Sequence, residues 1–236
     1  YRTLRLLHSF LADFADRLAP METVLPEGYE KITPDNRETL RYAARMKAGS
    51  GFVFMVNFQD HDTARIDQKD LQLRLKLDNE TIQIPAKGSF TLPKDESVIL
   101  PFNFLMEDAL MKIDDNGKEH YFFFTPDGMN TEYVFDKATV RGKNQFAPIP
   151  GLKSTFSIRT KAGKEVKITT LTREQALNSC KIDGKLLITE ATVLPGSGEV
   201  QLLSLGNNKF EYVLYPSKQG FKPYKRSGNS ETLLFL

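Results

Sequence analysis

The chain has 236 residues, enough for one large all-β domain or two smaller ones and for a substantial buried core. Hydrophobic residues make up 40% and charged residues 26%, the balance of an ordinary globular protein rather than of a disordered or membrane chain. With 32 Lys plus Arg against 30 Asp plus Glu, both signs interspersed, there is no basic footprint for nucleic acid, and no apolar run approaches the roughly 18 residues of a membrane span, so neither partner is expected.

Taken in chain order, the first element is a helix over residues 3–18: Leu4, Leu7, Leu11, Phe14 and Leu18 recur at spacings of three and four and so share one helical face. Pro20 stops it, because proline lacks the amide donor and clashes with the preceding turn. Residues 21–34 read as a linker. After Pro34 the pattern becomes short β-favouring runs between turn residues. Leu40–Met46 and Gly51–Phe58 flank Ala48-Gly49-Ser50-Gly51 and read as a hairpin, with Gly49 or Gly51 supplying a positive φ. Further strands are expected at 71–77, 81–85, 97–104, 109–113, 120–125 and 132–135, with turns at Asp114-Asp115-Asn116-Gly117 and Pro126-Asp127-Gly128. The spacing of these strands suggests a sandwich or barrel.

Residues 141–152 carry two prolines and no period, so a boundary is expected there. A second strand set follows at 154–160, 165–171, 185–188, 190–193, 199–205 and 209–215, turning at 161–164 and at Gly206-Asn207-Asn208. Thr172-Arg173-Glu174-Gln175-Ala176-Leu177 has the capping-box pattern for one or two helical turns. The expected architecture is mainly β: an antiparallel sandwich or jelly-roll-like region preceded by one helix. Its parts are residues 1–34 (helix and linker), 35–145 (first β domain) and 146–236 (second β unit). The chain starts at Tyr1-Arg2-Thr3 and stops in the apolar run Leu233-Leu234-Phe235-Leu236, so both ends read as cuts in a longer chain.

Sugar hydrolysis needs two carboxyl groups roughly 5 to 10 Å apart across the scissile bond, and the acidic residues here fall mostly in turns or charge-mixed runs such as Glu107-Asp108, where a solvated surface is the simpler reading. Asp60-His61-Asp62 has the chemistry to orient a base or bind a metal, but His8 and His120 stand at no ligand spacing from it, so no metal role is assigned. Asp114-Asp115-Asn116-Gly117 opens like a calcium loop without the closing ligand positions. The lone Cys180 excludes an intrachain disulfide and reads as a small core residue. Asn79-Glu80-Thr81 is a glycosylation sequon where a turn before a strand is expected. Phe122-Phe123-Phe124 with Tyr133 and Phe135 raise a sugar-stacking platform. Alternation along a strand puts Phe122 and Phe124 on one face and Phe123 on the other, so at least one face is core. No catalytic, cofactor-binding or metal-binding residue is assigned anywhere in the chain.

The run Tyr1-Arg-Thr-Leu-Arg-Leu-Leu-His-Ser-Phe-Leu-Ala-Asp-Phe-Ala-Asp-Arg-Leu-Ala-Pro-Met21 resembles the last barrel helix of family 35 of the glycoside hydrolases, the β-galactosidases. Leu40–Arg45 with Gly51–Gln59 is similar to the hairpin that opens that family's first β domain. Asp70, Ile84-Pro85, Gly88 and Leu100-Pro101-Phe102-Asn103 continue the resemblance to about residue 140, and Leu171–Leu177 is a weaker likeness. The resemblance implies a retaining exo-acting β-galactosidase whose two catalytic glutamates lie on barrel strands upstream, so neither role falls within this chain. It also implies a non-catalytic accessory region whose partner is the catalytic barrel of the same parent, with β-galactoside glycans as a further partner and a carbohydrate-binding module as the alternative. The helix should then keep an apolar face for that barrel, and an extracellular or periplasmic location follows from the same likeness.

Overall fold

The computed structural model describes residues 2–106, 114–115, 118–204, 210–216, 221–227 and 230–235, with the backbone only for 114, 115, 118 and 221–235. The chain is mainly β, its sheets are antiparallel, and among the described residues its α-helices are Arg2–Leu18 and the short Arg173–Leu177. It divides into two compact units: Phe14–Ala109 with Thr125–Thr131, and Tyr1–Asp13 with Leu110–Phe124 and Glu132–Leu236.

The unit built on Phe14–Ala109 forms around the expected hairpin. Arg41–Lys47 pairs with Ser50–Val56 in a register that closes at Lys47 and Ser50, leaving Ala48 and Gly49 as a two-residue turn. Both have positive φ, 50° and 76°, the signature of a type I′ turn whose twist matches the strands. Glu22–Val24 joins one edge and Ser97–Phe102 the other, giving a four-stranded sheet. Alternation places Ala44, Val53, Met55, Val98 and Phe102 on one face, where they pack with Leu73, Phe90 and Leu92 from two small ladders, Gln68–Leu71 with Phe90–Leu92 and Leu73–Lys76 with Thr81–Ile84. The opposite face buries Phe52 beneath Phe14 and Phe104, with ring centroids 5.7 and 5.9 Å away.

In the other unit Phe156–Thr160 and Glu165–Thr172 form a hairpin within a five-stranded sheet that also contains Lys118–Thr125. Thr172 caps Arg173–Leu177 by accepting from the Gln175 amide while the Gln175 side chain accepts from the Thr172 amide, so both halves of the expected capping box are present. Lys185–Thr189 is the centre of a three-stranded sheet and is buried on both faces. Leu186 and Ile188 pack with Leu171 and Ala176, while Leu187 packs with Val200 and Leu202 of a four-stranded sheet. The first turns of the Arg2–Leu18 helix are tied to this unit by Arg2, which donates to Asn178 Oδ1, by Arg5 Nη2 at 3.0 Å from the Leu177 carbonyl, and by the Asp13–Lys181 ion pair.

Several sequence expectations are corrected. The stretch 21–34 contains the strand Glu22–Val24 and a 3-10 turn over Tyr29–Lys31 rather than linker alone. The run 71–77 is broken at Gln72, two residues after Asp70, which has φ 54°. Short strands at Phe90–Leu92, Val140–Arg141 and Gln145–Phe146 have too few residues to show a period and so are not visible in the residue pattern. Ser179–Ile182 and Phe221–Ser227 are further strands in which lysine and serine interrupt the alternation, and Ser230–Phe235 ends in the continuous apolar run Leu233-Leu234-Phe235, which has no alternation to read. The expected strand 109–113, the surface pair Glu107-Asp108, the turn centre Asn116-Gly117 and the turn Gly206-Asn207-Asn208 lie outside the described residues.

Candidate functional site

The Asp60-His61-Asp62 segment sits in the loop that follows the strand Ser50–Val56. His61 is exposed at φ 59°, and its Nε2 lies 3.4 Å from Asp60 Oδ2. Asp62 turns the other way: Arg37 Nε donates to both its oxygens, at 3.1 and 2.9 Å, and the Ala64 amide donates at 3.0 Å. The hydrogen bond from Arg37 holds the Asp62 carboxyl below the usual carboxylate range and raises Arg37 in return. The two carboxylates therefore do not converge beside the imidazole. Among the described residues no three His, Cys, Asp or Glu side chains gather as a metal site would require.

The inside of the same loop is organised by Asn57, which is fully buried. Its Nδ2 donates to the carbonyls of Ile66, Leu92 and Pro93, each at 3.0 Å, and its Oδ1 accepts from Arg65 Nε at 3.0 Å. One side chain thus pins the loop to the turn that precedes Ser97–Phe102. Arg65 is only 3% exposed, and it lines a cavity of about 290 Å³ together with Asp62, Thr63, Lys94 and Asp95. Desolvation lowers the Arg65 pKa, helped by repulsion from Arg41. The sequence offered no period or motif around Arg65; its only clue was an arginine set between Ala64 and Ile66.

In the other unit the aromatic run divides as strand alternation requires. Phe122 and Phe124 face the cluster of Leu171, Leu186 and Ile188. The buried His120 stacks on Phe122 at 4.1 Å, with its Nε2 2.7 Å from Thr169 Oγ1. Phe123 faces the other way and joins Tyr133, Phe135, Phe146 and Phe156 in a chain of ring contacts with centroids 4.3 to 6.5 Å apart. All five rings are half-buried, and Lys143 Nζ lies 4.9 Å from the centre of the Phe146 ring. Tyr133 shares a 2.8 Å hydrogen bond with Thr170, and burial pushes its phenol up to about 12. Phe123–Tyr133, Tyr133–Phe156 and Phe135–Phe146 meet edge to face, while Tyr133–Phe135 and Phe146–Phe156 are stacked, both geometries that aromatic pairs prefer.

The remaining candidates are structural in their surroundings. Glu119 is buried and accepts from Lys164 Nζ at 2.5 Å and from the Tyr121 hydroxyl at 3.0 Å. Cys180 is half-buried on the strand Ser179–Ile182; burial raises its thiol pKa while Arg5 opposes the shift. Asn79 is exposed in the turn before Thr81–Ile84, as the sequon's position suggested. A hollow of about 570 Å³ runs along the first half of the Arg2–Leu18 helix, lined by Leu4, Arg5, His8 and Lys181 among others. No helix among the described residues is long and apolar enough to cross a membrane. Compared with known proteins, the chain matches no protein-family model and no curated protein.

Proposed function

We propose that the chain is a non-catalytic accessory β region of a glycoside hydrolase resembling the family 35 β-galactosidases, and that its task is to support the catalytic barrel of the same parent. The observation that carries the reading is the outer side of the Arg2–Leu18 helix. Leu4, Leu7 and Leu11 are 56%, 41% and 41% exposed there, in the segment that resembles the last barrel helix. A row of leucines left open by the chain's own core fits a helix whose outer side belongs against another apolar layer. The order of elements supports the same reading, since the helix is followed by a hairpin at the place the resemblance requires.

The test is to produce the chain beside a family 35 barrel that ends before this helix. Supported by the chain, the barrel should be more soluble and should hydrolyse an aryl β-galactoside, whereas the chain alone should not. A barrel indifferent to the chain argues against the reading. The half-buried rings Phe135, Phe146 and Phe156 favour the carbohydrate-binding alternative. Retention of the chain on β-galactoside glycans, lost on Phe146→Ala, would select that alternative.

A further inference from the structure

We propose that the cavity beneath the Asn57–Asp67 loop is a binding site for a compact oxyanion, a carboxylate, sulfate or phosphate group, with the Arg65 guanidinium as its cationic floor. Arg65 has more donors than partners. A guanidinium has five N–H groups in a planar fork. Arg65 uses Nε on Asn57 Oδ1, but Nη1 and Nη2 have no hydrogen-bond partner among the described residues, and both atoms are buried. Leaving charged donors unpaired inside a protein is costly, and native structures rarely tolerate it without a ligand, an ion or ordered water at the site.

The neighbouring carboxylates do not fill that role. Asp62 is engaged by Arg37 and by the Ala64 amide, and neither it nor Asp95 forms an ion pair with Arg65 among the described residues. Lys94 adds a second positive charge at the exposed rim, and Thr63 adds a hydroxyl. The anchor is rigid where it needs to be. The Asn57 amide donates to the Glu96 carbonyl at 2.8 Å and its carbonyl accepts from the Asp95 amide at 2.9 Å. With the four side-chain bonds of Asn57, these hold the floor of the cavity in place before any ligand arrives. At about 290 Å³ the space is at the small end of ligand sites, suited to an anionic group on a small molecule rather than to an oligomer. A planar fork with two free terminal nitrogens is matched to two oxygens of one anion.

The experiment titrates the full chain with sodium sulfate, sodium phosphate and sodium glucuronate at constant ionic strength set with sodium chloride. It follows heat of binding and the Arg65 guanidinium resonances by nitrogen-15 NMR. Saturable binding of at least one of the three, with movement of the Arg65 Nη signals, is the expected result; which anion binds separates a carboxylate source from a sulfate or phosphate source. Arg65→Lys keeps the charge but loses the fork and should weaken binding about tenfold or more. Should that variant fail to fold, the Nη signals of the unmodified protein decide alone. Titrations that never saturate, or binding that leaves the Arg65 signals unmoved, would mean that the cavity holds only water and would overturn the proposal.

Discussion

At Gly51 a single hydrogen atom is the largest side chain the fold admits. A Cβ there would stand 2.1 Å from the Arg45 carbonyl oxygen and 2.9 Å from both Met46 Cα and Phe102 Cζ. Gly49, two residues away, is open in space but turns at φ 76°. The two glycines are therefore needed for different reasons, one for closeness and one for chirality. Gly51→Val should destabilise by roughly 3 kcal/mol or more, because backbone must move, whereas Gly49→Val should cost roughly 1 to 3 kcal/mol. Thermal unfolding of the two variants checks the order, and a Gly51→Val midpoint equal to wild type would discredit the close approach. The sequence indicated that the turn needed glycine but could not divide the labour, since one requirement is the turn's own φ and the other arises only when Gly51 pairs against the Arg45–Met46 backbone and beneath Phe102. Tyr133 yields a second expectation. An unperturbed phenol titrates near 10.0, and this one is held neutral up to about 12. The folded state keeps its proton where the unfolded state has lost it, so stability should hold below about pH 10 and fall between about pH 10 and pH 12. Urea midpoints at about pH 8 and about pH 11 should differ less in Tyr133→Phe than in wild type; an identical alkaline loss in both would remove Tyr133 from the account.

Elements differ in how far they could be read in advance. The Arg2–Leu18 helix announces itself through leucine spacing and Pro20, and Arg173–Leu177 through its capping box, because each signal is complete within one turn of chain. Even so, the spacing could not tell which way the leucines point. The inward side is set by Arg5, Asp13 and Leu6, which find partners at Leu177, Lys181 and the Leu171 cluster. Those partners are more than 150 residues distant, and no local pattern encodes them. If the outward row is sticky, Leu7→Glu with Leu11→Glu should reduce self-association of the isolated chain while leaving its unfolding free energy within about 0.5 kcal/mol of wild type. Sedimentation velocity across a concentration series measures the first quantity. Identical sedimentation of variant and wild type, both concentration-dependent, would place the adhesive surface elsewhere. The strands missed from sequence were two to seven residues long, and most were short or interrupted by charged residues. Pairing rather than pattern makes them strands.

For the whole chain, the accessory role proposed above predicts no hydrolysis of an aryl β-galactoside by the chain unaided, since the two glutamates that the resemblance implies belong to the barrel strands. Turnover that survives purification and disappears with a substitution inside residues 1–236 would reverse that. The mainly β class was legible because turn residues punctuate the chain at short intervals. The candidate site was much less so: within Asp60-His61-Asp62 only Asp60 stays beside the imidazole while Asp62 turns to Arg37, and Arg65 becomes notable only once Asn57 has folded around it. The arrangement of the four-stranded sheet bears on the order of folding. Ser230–Phe235 is an inner strand, with Glu199–Leu203 on one side and Phe221–Ser227 on the other. During synthesis Glu199–Leu203 can close one edge early against Thr192–Pro195, but its other edge waits for about thirty more residues. Until they arrive, a strand carrying the core residues Val200 and Leu202 presents an open row of amides and carbonyls, the type of edge on which neighbouring nascent chains pair by mistake.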